Sequence, residues 1–203
     1  MKATGSGRQF RSRNRQILAT VIISLAATLL VSCAGSPDAV ERSLSEADIL
    51  LKKGDGYYFN DRYDEAVREY TLAAAANPGS AAVYRNRAYA WLALREMEKA
   101  REDFDRAVKI APGFAEAYLG RGGLYYQQGK YAEAIDDFDR VIELDPWNAT
   151  ARYYKALACE KIGRLREAVE AYRGYIHCVV PREGGSADFA RERIQDLEKR
   201  LPD

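Results

Sequence analysis

The sequence predicts an all-α fold: a solenoid of stacked antiparallel helix pairs, about four of them, with a capping helix behind the last. Two observations predict it. Pro78, Pro112 and Pro146 stand 34 residues apart, and the chain between them repeats with the same period. A fixed period in the 20–50 residue range marks stacked units, none of which can bury its apolar face alone. Within each unit the apolar residues recur at three- and four-residue steps, as in Tyr131, Ala134, Ile135, Phe138, Val141 and Ile142, which is the spacing of one helix face.

The 203 residues are 47% apolar and 30% charged, a globular composition. Charge is uneven. Five of the 31 bases and none of the 30 acids lie in 1–32, so the remainder carries 26 bases against 30 acids, a net of −4 against +1 for the whole. An acidic body argues against nucleic acid, which selects clustered Lys and Arg.

Residues 1–16 are basic and polar, and Ile17–Val31 follows without a charge. As a helix that stretch reaches ~22 Å, short of the ~30 Å of a hydrocarbon core, but it suits the apolar core of a secretory signal. "RSRNRQ" (11–16) holds no paired arginines, so a twin-arginine route is not suggested. Leu30-Val31-Ser32-Cys33 resembles the lipobox of bacterial lipoprotein precursors. The resemblance implies cleavage after Ser32, a diacylglyceryl thioether on Cys33 and a body tethered at a membrane surface, since two or more acyl chains anchor stably. Residues 1–32 are then a signal peptide and 33–46 a lipidated N-terminus and linker. Ala34 follows the cysteine; in enteric-type Gram-negative bacteria an Asp there resembles an inner-membrane retention signal, so Ala favours the outer membrane. The expected location is the bacterial envelope, periplasmic face.

The repeats are expected over 47–180, as 47–80, 81–114, 115–148 and 149–180. Four columns carry them: Tyr70, Phe104, Phe138 and Tyr172; Ala66, Ala100, Ala134 and Ala168; Gly54, Ala88, Gly122 and Ala156; and Tyr57, Trp91 and Tyr125, where the last unit has Cys159. Gly129 and Gly163 stand where a first helix should stop, and the prolines follow the second helices. The unit resembles the tetratricopeptide repeat (TPR), and Ala115–Asn148 matches that pattern almost throughout. The resemblance implies a right-handed α-solenoid. The fourth unit departs: Arg152 replaces the first aromatic, Tyr175 fills the slot of Ala73 and Ala107, and Pro181 is one residue late, as suits a terminal unit. "PREGGS" (181–186) reads as a loop with Ser186 as N-cap, within a last segment 181–203 of loop and capping helix. That helix carries Phe189, Ala190, Ile194, Leu197 and Leu201 on one face, the polar-backed cap that a solenoid end requires.

No constellation for catalysis is found. His177 is the only histidine and has no neighbours at ligand spacing. "GRGG" (120–123) lies within a predicted helix, not at a phosphate-binding turn. No enzyme activity and no cofactor or metal are expected, apart from the covalent lipid on Cys33. Cys159 lies four residues before the turn at Gly163 and Cys178 fifteen after, a mismatch of ~16 Å along a helical hairpin where a disulfide tolerates ~7 Å. Two separate, buried thiols are expected.

Lys53, Arg87, Arg121 and Lys155 share one slot. A ladder for anionic ligands is one reading. The favoured one is pairing across each hairpin with Glu69, Asp103 and Asp137, since buried charges require partners; Lys155 then faces Ala171 and lacks that partner.

TPR stacks present their first helices on a concave groove. The resemblance places Leu51, Tyr58, Phe59, Arg85, Tyr89, Leu119, Tyr126 and Tyr153 there, with Asp55, Asn86 and Glu160 adding polarity. Aromatic anchors in a groove suit a peptide or partner helix, whereas Tyr57 and Tyr125 are expected to pack between units. TPRs that bind chaperone tails use a clamp of Lys and Asn; Asn86 matches one slot, but Leu51 and Asp55 stand where Lys and Asn should be. The sequence resembles the small TPR lipoproteins of pilus assembly, secretion or cell-wall enzyme complexes. The expected function is a membrane-tethered scaffold docking a protein or peptide segment. The alternative is a structural, self-associating lipoprotein. The oligomeric state is left open.

Overall fold

The structure, a computed structural model, describes residues 37–179 and 186–201, with side chains from 46 to 179 and 187 to 201. The apolar stretch, Ser32 and Cys33 lie outside them. Two compact units divide the chain, Met1–Glu46 and Ala47–Asp203; of the first only helical residues 37–46 are described, and the repeat stack is the second. No described helix is long and apolar enough to cross a membrane.

The described elements are all helical: α1 Pro37–Phe59, α2 Tyr63–Ala76, α3 Ala81–Ala93, α4 Met97–Ile110, α5 Ala115–Gln127, α6 Tyr131–Leu144, α7 Ala149–Lys161, α8 Leu165–Cys178 and α9 Ser186–Arg200. From α2 onward each packs on its neighbour in sequence, and the first helices also meet across units, α3 on α5 and α5 on α7.

The hairpins are held by the aromatic column. Tyr70, Phe104, Phe138 and Tyr172 are at most 1% exposed, against the fully buried Ala66, Ala100, Ala134 and Ala168. Each ring needs a gap in the facing helix. A Cβ added at Gly54 would lie 2.5 Å from the Tyr70 ring, and one at Gly120 would lie 2.4 Å from Phe104. The glycines are close-approach sites, and dense packing leaves no slack for more atoms.

Each first helix ends on a residue with positive φ. Gly129 (75°) and Gly163 (76°) do so without strain, but Asp61 (58°) and Arg95 (63°) hold the same slot. The register is common to all four, with Arg62, Glu96, Lys130 and Arg164 donating their N–H to Tyr57, Trp91, Tyr125 and Cys159 carbonyls. The turn geometry is imposed by hairpin packing, since an L-residue there costs about 1–2 kcal/mol.

The basic slot pairs as favoured. Lys53 meets Glu69 at 2.7 Å. Arg87 and Arg121 donate two bonds each to Asp103 and Asp137, at 2.7 and 2.8 Å, and these two acids are the buried charged residues among those described. Each arginine also reaches back to the preceding second helix: Arg87 to Thr71 at 3.1 Å and Arg121 to Asp105 at 2.7 Å. Lys155, expected to lack its partner, uses that backward route and pairs with Asp139. Bidentate geometry explains why arginine serves the internal units. Burial pushes the Asp137 carboxyl up, and Arg121 opposes it.

Three further expectations change. Cys159 is buried, but Cys178 is only half-buried, its Sγ 4.0 Å from the Pro146 carbonyl, and both thiols are free. On α9 Ala187, Ala190 and Leu197 are buried and Ile194 packs beside them as expected, while Phe189 is 43% exposed, its ring 6.3 Å from Tyr153 and 6.5 Å from Tyr172. Ser186 is the first residue of the helix, not its cap.

Arg121→Ala strands Asp137 and is expected to cost about 3 kcal/mol, the scale of a broken buried pair; urea unfolding should show part of that loss recovered in Arg121→Ala/Asp137→Ala. A paired glycine test separates close approach from flexibility. Gly120→Ala should destabilise by about 1–3 kcal/mol through overpacking. Gly123→Ala, three residues along with nothing within 4 Å of its Cβ, should stabilise by about 0.5–1 kcal/mol through helix propensity.

Candidate functional site

One cavity brings four of the expected groove residues together. It measures about 290 Å³ and is lined by Asp55, Tyr58, Phe59, Tyr70, Arg85, Asn86 and Tyr89. The wall is made by α1 and α3, neighbouring first helices, with the Tyr70 ring of α2 as its floor. The aromatic walls are positioned by other rings. Tyr89 meets Phe104 edge-on at 5.3 Å, and Tyr58 meets Tyr63 at 5.4 Å and Phe59 at 6.2 Å. Phe59 itself is 83% exposed, an apolar ring at the rim whose one ring contact among the described residues is the edge of Tyr58.

The polar groups are few and fixed. Asp55 Oδ1 accepts from the Tyr70 hydroxyl at 2.7 Å and from Asn86 Nδ2 at 2.8 Å. Burial and then the Asp55 bond hold Tyr70 protonated, well above the usual phenol range; burial likewise raises Tyr89. The Arg85 guanidinium lies over the Phe114 ring at 5.3 Å. Its Nε is buried and has no hydrogen-bond partner among the described residues.

The other expected groove residues lie elsewhere. Leu51 packs with Tyr57 and Tyr58 against the α2–α3 core, and Leu119 packs against Phe138 and Val141. Tyr126 sits between Tyr131 at 5.3 Å and Tyr154 at 5.9 Å. Tyr153 lines a second cavity of about 640 Å³ with Ala149, Thr150, Tyr154, Tyr175, Val179 and Phe189. Tyr154, Tyr175, Val179 and Phe189 are not among the groove residues expected from the sequence. The one available signal was their clustering where the period fails. Glu160 is not free to serve a ligand: Arg193 of α9 donates to it at 2.9 Å, and the Tyr172 hydroxyl at 2.7 Å.

Among the described residues no group of three or more His, Cys, Asp or Glu side chains could hold a metal, and His177 is exposed. The first cavity offers aromatic walls, one carboxylate and one guanidinium.

Comparison with known proteins agrees with the fold. Two tetratricopeptide-repeat family models match the chain, over 51–114 and 115–148. No curated relative matches it. Among solved structures, the first TPR of Spaghetti (RPAP3) bound to the HSP90 peptide SRMEEVD is 31% identical. That match covers 59% of this chain and 94% of that one, at a TM-score of 0.57. The TPR domain of Arabidopsis OM64 is 30% identical over 58% of this chain and 98% of its own, also at 0.57. The MamA protein aligns over 76% of this chain and 87% of its own at a TM-score of 0.64; at 23% identity it speaks for the fold alone.

The two described thiols should differ in reactivity. Burial pushes Cys159 up to about 11, so at pH 8 about one part in a thousand is thiolate. Iodoacetamide treatment of the native protein, mapped by peptide mass, should modify Cys178 and leave Cys159 intact until denaturant is added.

Proposed function

The chain belongs to the tetratricopeptide repeat family, and on that premise we propose that it is a membrane-tethered scaffold that docks a segment of a partner protein in its groove. The observation that carries this reading is the α1–α3 cavity, where exposed Phe59 and the pre-set Tyr58 and Tyr89 rings surround unfilled space. Large aromatic anchors in a concave site supply most of the affinity in peptide recognition. The solved relatives add support: the first and second TPRs of RPAP3 are bound to an HSP90 peptide, and the second domain of human RPAP3 is in complex with an HSP70 peptide. The family is one of scaffolds, typically without enzyme activity. This chain has Leu51 and Asp55 in two slots of the chaperone-tail clamp, so its partner is a different kind of segment.

The tether is the lipid on Cys33, added after cleavage behind Ser32. The basic, apolar, Leu-Val-Ser-Cys order of the N-terminus supports it, and Ala34 supports the outer membrane. The scaffold then works in assembly of an envelope complex, from the periplasmic face. Self-association through exposed repeat ends is the alternative; light scattering of a concentration-dependent oligomer would favour it.

Crosslinking in the native envelope tests the groove. Phe59→Ala removes an exposed ring and Tyr89→Ala a wall; each should lower capture about tenfold or more, the scale of a hot spot, with the helical circular dichroism signal kept for Phe59→Ala. Capture unchanged in both would defeat the groove. The tether has its own test: Cys33→Ser should lose lipid label and cleavage together, and processing that continues unchanged would remove the lipoprotein reading.

A further inference from the structure

The α1–α3 cavity holds one anion and one cation that do not pair. Asp55 and Arg85 are the two charged residues of its lining, yet no ion pair joins them, although most arginines of the stack find one. Their bonding is incomplete in complementary ways. Asp55 Oδ1 takes two hydrogen bonds, and its second oxygen takes none among the described residues. Arg85 makes no hydrogen bond or ion pair among the described residues; its Nε is closed off from solvent, and its terminal N–H groups are the ones a ligand can reach. Polar groups that line an aromatic-walled cavity without a protein partner are placed to bond a ligand that excludes water from it. Resting on the groove reading above, we propose that this cavity recognises an uncharged segment of the partner. A large apolar side chain stands among Tyr58, Phe59 and Tyr89, and a peptide group beside it donates N–H to Asp55 and offers its carbonyl to Arg85.

The charge balance selects against other ligands. A carboxylate drawn to Arg85 enters the field of Asp55, and an ammonium drawn to Asp55 enters that of Arg85, in a site walled by aromatic rings where such interactions are poorly screened. A dipole satisfies both at once. Size agrees: about 290 Å³ lies at the lower edge of the ~300–1,000 Å³ of small-molecule sites, room for one side chain and its peptide group rather than for an extended tail. The groups are also pre-set, Asp55 by Tyr70 and Asn86, Arg85 by Phe114, which reduces the entropy lost on binding.

The probe is a displayed library of random decapeptides, panned on the full chain in detergent and on its Phe59→Ala and Arg85→Met variants. The expected consensus has one Phe, Leu, Ile or Met flanked by uncharged residues and is lost on Phe59→Ala. A synthetic peptide of that consensus should bind about tenfold more weakly to Arg85→Met. It should also weaken about tenfold on N-methylation of one peptide bond next to the apolar residue, with affinity changing less than twofold between 50 mM and 500 mM salt. An acidic or basic consensus still lost on Phe59→Ala, or affinity falling steeply with salt, overturns the inference and leaves the groove standing. No enrichment, or enrichment indifferent to Phe59→Ala, removes the groove and the inference with it. N-methyl peptides that bind as well as their parent also overturn the inference, independently of any variant's folding.

Discussion

The fit of one aromatic ring into a gap between small residues is the interaction on which the stack depends. Phe104 and Phe138 come from second helices and are fully buried; their rings press on first helices so closely that Gly120 and Gly122 have no room for a Cβ. Such a fit sets the interhelix distance, and the distance sets everything that crosses it. Arg87 and Arg121 reach two acids or an acid and a hydroxyl on either side only because the helices stand at that spacing. The pairs themselves add modest net stability, since desolvation offsets much of their attraction. Their value lies in direction. A guanidinium that bridges its own hairpin and the one before fixes the offset between successive units, which apolar contacts leave loosely specified.

Periodicity explains what could be read beforehand. A position that must do the same job in every unit holds the same kind of residue every 34 positions, so the aromatic, alanine and basic columns were visible in the sequence. The pattern breaks where the job stays but the residue changes. Asp61 and Arg95 make the turn that Gly129 and Gly163 make; aspartate visits left-handed backbone more readily than most residues, but nothing in the chemistry of Arg95 announces it, because the packed hairpin rather than the residue chooses the conformation. Lys155 breaks it in the same way: Ala171 removes its forward partner, while the backward partner Asp139 belongs to a slot that holds Thr71 and Asp105 in earlier units.

The site is legible for the opposite reason and only in part. Residues on the groove face are released from the stack's demands, so they vary: the slot of Asp55 holds Tyr89, Gly123 and Leu157 in later units. The face could be assigned from the resemblance, which is how Tyr58, Phe59, Arg85 and Tyr89 were placed on it. Which of its residues surround open space could not. Leu51 and Leu119 occupy face positions yet lean into neighbouring cores, and Tyr126 is taken up by Tyr131 and Tyr154. Those outcomes depend on the volumes of neighbours from three helices at once.

The two ends of the stack carry matched polar devices with different consequences. The aromatic column uses tyrosine in the first and fourth units and phenylalanine between them. Each tyrosine hydroxyl donates to an acid on its own first helix, Tyr70 to Asp55 and Tyr172 to Glu160. The next helix then adds a donor. In the first unit it is Asn86, a neutral amide that leaves the carboxylate's charge uncompensated and one oxygen open. In the last it is Arg193 of the capping helix, whose guanidinium engages both oxygens of Glu160. Glu160 fills the slot of Tyr58 and Tyr126, a groove position, so α9 stands where a fifth unit's first helix would begin and spends that position's polarity on closing the stack. The same arrangement of tyrosine, acid and donor therefore ends the solenoid at one side and leaves hydrogen-bonding capacity for a ligand at the other, and the difference is the charge of the single residue that completes it.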